Sequence, residues 1–189
     1  GYPTGFFVRI QGHDAWTTNP RFGWRFFPPA IARTPVPCYL VSPKPRGTYR
    51  IFVLGSSAAM GVPDPAFSFG RILEAMLGEK YPDRRVEVIN AAMTAVNSHV
   101  IAPIARDCAR FQPDLFVVYA GNNEVVGPYG PGTVFAGYSP RLPVIRLGIA
   151  ARATRLGQLG GSLLGGDRIR EWGGMGMVRE FRILAEEAT

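Results

Sequence analysis

The sequence predicts an α/β fold: a parallel sheet with helices on its faces, preceded by an arm rich in proline and aromatic residues. Three observations carry this. Short apolar runs end at Gly55, Asn90 and Gly121; segments of helical period separate them; and proline is dense before residue 50.

Residues 1–49 form the arm. Asn19-Pro20, Pro28-Pro29, Pro35, Pro37, Pro43 and Pro45 interrupt it too often for long helices or central strands. An extended arm or short edge strands are expected, with Phe22, Trp24, Phe26 and Phe27 anchored on the following domain, residues 50–189. Trp16 and Trp24 could alternatively form a platform on which a sugar stacks.

Arg50-Ile-Phe-Val-Leu-Gly55 has the form of a buried parallel strand. Phe69, Ile72, Leu73, Met76 and Leu77 then recur at the spacing of one helix face, with Asp64 and Pro65 as N-cap and first helical residue. Val86–Asn90 is a second strand. Residues 99–111 form a second helix, with Ile101, Ile104, Ala105 and Cys108 inward and Pro103 restricting its first turns. Asp114–Ala120 is a third strand. Alternating strands and helices over this span imply right-handed crossovers and a parallel sheet. Residues 143–159 read as a basic amphipathic helix, residues 160–176 as a glycine-rich loop, and residues 177–188 as a further helix. No fourth or fifth strand is legible, so the sheet is expected to be incomplete and the chain a fragment that stops inside its domain.

Composition excludes several classes. With 47% hydrophobic and 19% charged residues, the chain of 189 is not of disordered type. No uninterrupted apolar run approaches the ~18 residues of a membrane span, and no signal peptide is visible, although the absence of an initiator Met leaves room for a removed leader or anchor. The net charge of +7 is spread along the chain, with no helix face or run that collects basic groups, and a nucleic-acid partner is not expected. Cys38 and Cys108 lie far apart, with no ligand-like spacing, so neither a metal nor another cofactor is expected. A disulfide between them is possible, but nothing in the sequence supports it.

In parallel sheets chemistry gathers at the carboxyl ends of the strands. The three loops there read Gly55-Ser-Ser-Ala-Ala-Met-Gly61, Asn90-Ala-Ala-Met-Thr-Ala-Val-Asn-Ser98 and Gly121-Asn-Asn-Glu124. Neither a dinucleotide fingerprint nor a phosphate loop is present. A serine just past a buried strand, among small residues, suits a nucleophile, and an asparagine at a neighbouring strand end suits an oxyanion donor.

These loops, in this order, resemble the three leading blocks of the SGNH (GDSL-like) hydrolase superfamily. The likeness covers roughly residues 50–127 and implies a flavodoxin-like, three-layer fold. The block Gly-Asp-Ser-x-x-x-Gly matches Gly55 to Gly61 and places the nucleophile at Ser57. Asn-x-Gly-x-x-Gly matches Asn90 to Ala95, with alanine at both glycine positions, so that Ala95 would give a backbone N–H to the oxyanion. Gly-x-Asn-Asp matches Gly121 to Glu124, so that Asn123 would give a side-chain donor. Gly55, Gly61, Asn90 and Gly121 would support the site.

The family's fourth block, Asp-x-x-His, has no counterpart, since no histidine follows His99. The base and its Asp would come from sequence beyond Thr189, or the domain has lost catalysis. His99 is a possible substitute base, with capping or packing as its other role. The resemblance implies a serine esterase or acyl hydrolase acting on a small-molecule or glycan ester. The alternatives are a non-catalytic binding or scaffold domain, or an O-acyltransferase using the same serine. Asn19–Pro28 together with the first and third loops also resembles large bacterial proteins that join an N-terminal anchor, such a domain and tetratricopeptide repeats. That likeness implies an extracytoplasmic, membrane-tethered setting.

Overall fold

The computed structural model describes residues 1–133 and 141–164. The fold is mixed α/β, with helices flanking two small three-stranded sheets.

The arm builds the first sheet. Strands β1 (Phe7–Arg9), β2 (Ala15–Thr18) and β3 (Tyr39–Val41) pair antiparallel, with β2 in the centre. The expected short strands therefore pair with one another, and every proline lies outside them, where no ladder hydrogen bond is lost. Buried Asn19 fixes the turn into the next segment: its Nδ2 donates to the carbonyls of Pro3 and Gly5, both at 2.8 Å.

The second sheet is parallel, in the order β5–β4–β6, from β4 (Thr48–Gly55), β5 (Arg85–Asn90) and β6 (Leu115–Tyr119). Alternation along β4 divides the core. Phe52 and Leu54 join a cluster with Phe6, Phe22, Phe26 and Phe27 of the arm, whereas Ile51 and Val53 join Val88 and Ala92 on the opposite face. Trp16 also packs against the first cluster, edge-on to Phe111, and Trp24 lies edge-on to Tyr2.

Helices α1 (Ser57–Met60), α2 (Phe69–Lys80) and α3 (Ser98–Ala109) follow the strands. Buried Ile101, Ile104 and Cys108 of α3 face the arm cluster as expected, joined by Val100. The helix keeps Pro103 within its first half. Two expectations for α2 need correction. Asp64 caps a short 3-10 turn, Pro65–Phe67, by accepting from Ala66 N–H; Ser68 is the N-cap of α2 itself. Ile72 and Met76 are exposed rather than inward. The inward row runs through Gly70, Leu73, Glu74 and Leu77, because Gly70 seats directly on Val53 and Val88 while Glu74 Oε1 accepts from Val88 N–H at 3.0 Å.

The single helix expected over 143–159 is two helices, α4 (Leu142–Arg152) and α5 (Arg155–Leu164). Thr154 divides them: its N–H donates to Ala151 O, and its Oγ1 accepts from Gly157 N–H at 3.0 Å, as an N-cap does. The first residues of the expected glycine-rich loop, 160–164, instead continue α5; the rest of that loop and the expected helix over 177–188 lie outside the described residues.

Arg50 joins the two sheets. It is fully buried; Nε donates to Glu87 at 2.7 Å, Nη1 to Phe111 O at 2.8 Å and Nη2 to Val41 O at 2.9 Å. A guanidinium can be buried when each of its three nitrogens finds an acceptor in this way. Cys38 and Cys108 are free thiols within one apolar cluster; burial pushes the Cys38 thiol up to about 12 and that of Cys108 higher still.

Candidate functional site

The carboxyl ends of β4, β5 and β6 bring the three loops together. Gly55 ends β4 opposite Tyr119 of β6, and a Cβ there would strike the Tyr119 carbonyl and the Ala59 methyl, so only glycine fits. Ser56 follows, extended and buried, and Ser57 begins the single turn of α1. Gly61 closes that turn at φ +91°, where a Cβ would fall 2.6 Å from Ser68 Cβ.

The second loop is tied to the first at two points. Met93 N–H donates to Gly55 O at 3.2 Å. The Asn90 carboxamide donates to Ala59 O at 3.1 Å and Met60 O at 3.3 Å, and its Oδ1 accepts from Ala92 N–H. Asn90 thus satisfies the last carbonyls of α1, which a one-turn helix leaves open. Further along, Ala95 stands at φ +58°, a left-handed conformation unusual for alanine.

The third loop reaches back to the first, where Asn123 Nδ2 donates to Ser56 Oγ. Gly121 is exposed at the start of this loop, and its carbonyl accepts from Glu124 N–H at 3.3 Å. Glu124 binds the start of α3, accepting from Ser98 N–H at 2.9 Å and Ser98 Oγ at 2.7 Å. A carboxylate there complements the positive end of the helix. Asn97 is buried and donates to Pro128 O.

Around Ser57 the polar groups are open. Its carbonyl accepts from Gly61 and Val62 N–H, but among the described residues its hydroxyl has no hydrogen-bond partner. The N–H groups of Ser57 and Ala95 likewise have no acceptor among them. His99, one residue into α3, sets its ring edge-on to Tyr129 at 6.3 Å and makes no hydrogen bond with Ser57. Among the described residues no group of three or more His, Cys, Asp or Glu is placed to hold a metal ion, and no helix is long and apolar enough to cross a membrane.

Sequence reasoning placed Ser57, Ala95 and Asn123 on three loops that the fold brings to one end of one sheet. It gave no defined role to Ser56, which receives the Asn123 carboxamide, and none to Asn97. Ser56 is one serine of a Ser-Ser pair, so only the fold separates its buried, hydrogen-bonded hydroxyl from that of half-buried Ser57.

No family model matches the chain, and no curated protein or solved structure is significantly similar to it.

Proposed function

We propose that the domain is an SGNH-type serine esterase or acyl hydrolase with Ser57 as nucleophile. The observation that carries this reading is the Asn123–Ser56 hydrogen bond, which holds a carboxamide donor beside the serine at the start of α1. The free N–H groups of Ser57 and Ala95 support it, because an oxyanion needs several donors already aimed at it.

In this reading Ser57 Oγ attacks the ester carbonyl carbon. Negative charge moves to the carbonyl oxygen and is held by the N–H groups of Ser57 and Ala95 and by the second Nδ2 hydrogen of Asn123. The tetrahedral species collapses, the bond to the leaving alkoxy group breaks, and an acyl-serine remains for water to hydrolyse. The hydroxyl proton needs a base, which passes it on to the leaving alkoxy group so that an alcohol departs. No described histidine hydrogen-bonds Ser57, and the proposal takes the base from an Asp-x-x-His pair outside these 189 residues. Passage of the same acyl group to a sugar hydroxyl would make the domain an O-acyltransferase. A glycan ester substrate, attachment to tetratricopeptide repeats and a tethered extracytoplasmic setting belong to the same proposal and rest on the resemblance alone.

One observation favours a second reading, a non-catalytic binding or scaffold domain: the Ser57 hydroxyl has no activating partner among the described residues. Ester turnover separates the two. A protein extended past Thr189 should hydrolyse p-nitrophenyl esters, lose turnover with Ser57→Ala, and slow by ~10²–10³ with Asn123→Ala. A folded extended protein with no turnover would favour the binding domain.

A further inference from the structure

Beside Ser57 the surface opens into a groove of about 300 Å³. Its apolar wall is Ala58, Val62, Pro63, Phe67 and Phe69, and it contains no basic residue. Phe67 is 79% exposed and Val62 52% exposed, an unusual cost for large apolar side chains placed side by side. The polar side chains present are already engaged: Asp64 accepts from Ala66 N–H, and Ser68 accepts from Arg71 N–H as the cap of α2. The one charge, on Asp64, disfavours an anionic occupant.

The groove borders the first of the strand-end loops. Ala58 lines it directly after Ser57, and Val62 N–H donates to Ser57 O. Phe69 lies edge-on to Tyr119 at 6.2 Å, and Tyr119 is the β6 partner of Gly55. The exposed ring of Tyr119 thus meets the groove at Phe69, and the groove begins at the residue that follows Ser57.

We infer that this groove takes the acyl chain of the substrate, an uncharged apolar chain longer than acetyl. The inference rests on the Ser57 reading for the acyl character of the ligand. A volume of about 300 Å³ is at the lower end of small-ligand sites and leaves room for a chain longer than acetyl. Phe67, exposed at the rim, is a specificity-determining residue.

Two measurements test it and keep the readings apart. In the first, the 15N-labelled chain is titrated with octanamide and with acetamide. Octanamide should shift the amides of Ala58, Gly61, Val62 and Phe69 at concentrations at which acetamide does not, and Phe67→Ala should weaken that response. Equal responses to the two amides, or none, would overturn the groove assignment. In the second, Ser57 of the folded protein extended past Thr189 is labelled with octyl and methyl fluorophosphonates. The octyl probe should react about tenfold faster or more, since buried methylenes are worth at least that in discrimination, and Phe67→Ala should bring its rate toward that of the methyl probe. Equal rates would overturn the inference and leave Ser57 as nucleophile. Absence of labelling by either probe would overturn the ester chemistry, and the octanamide titration alone would then decide whether the groove binds an apolar chain.

Discussion

Asn123 donates its side-chain amide to the hydroxyl of Ser56, the buried neighbour of Ser57, and not to Ser57 itself. The two adjacent serines therefore do different work. Ser56 fixes the third loop against the first, and Ser57 keeps its hydroxyl open.

Substitution should separate them. Ser56→Ala leaves the Asn123 amide without its acceptor and should cost about 1–3 kcal/mol of stability. Ser57→Ala removes a hydroxyl with no described partner and should stay within about 0.5 kcal/mol. Urea unfolding of both variants is the check, and equal losses would contradict the division of roles.

Ala95 carries a strain that can be relieved. At φ +58° an L-residue costs roughly 1–2 kcal/mol, of which glycine returns part to chain entropy. Ala95→Gly should therefore raise stability by up to about 1 kcal/mol in urea unfolding. A loss would mean that the Ala95 methyl has packing value greater than the backbone strain.

Arg50 should tolerate little. Its removal leaves Glu87 and the carbonyls of Val41 and Phe111 without their donor. Arg50→Leu should cost about 3–5 kcal/mol, and Arg50→Leu with Glu87→Leu less than the sum of the two single changes. Additive losses in urea unfolding would show that the pair is not coupled.

Asp114 gives the acid limb of stability a definite sign. Its carboxylate accepts from Lys44 Nζ and from Arg50 N–H, and these hydrogen bonds, the Lys44 one first, hold its pKa below the ordinary carboxylate value. The folded state then binds this proton less readily than the unfolded chain. The stabilisation is complete above the unfolded value of ~3.9 and is lost as pH falls through the lower folded value. Asp114→Asn should flatten the stability profile below about pH 4, and an unchanged profile would assign the acid limb to other groups.

Strands β4, β5 and β6 were legible because each is an apolar run followed by or ending in Gly or Asn, within two residues of its observed limits, although only β4 is buried nearly throughout and Leu115, Val118 and Tyr119 of β6 are exposed. The site residues were legible as positions, since each loop begins where a run ends. What sequence could not supply is long-range pairing. The Asn123–Ser56 contact spans 67 positions, and the Arg50–Glu87 pair 37, with no local pattern to announce either. Helix α2 was misread for a related reason. Its inward face includes a glycine and a glutamate, Gly70 and Glu74, which no apolar periodicity includes. The break at Thr154 was hidden because a capping threonine is also an ordinary residue within a helix.

The central claim is that Ser57 is a nucleophile, and intact-mass analysis after fluorophosphonate treatment tests it most directly. The 189-residue chain, a protein extended past Thr189 and their Ser57→Ala variants should be compared. The account predicts one adduct, mapped to Ser57, on the extended protein and on no Ser57→Ala variant. A folded extended protein that gains no adduct, or gains one elsewhere, would contradict it.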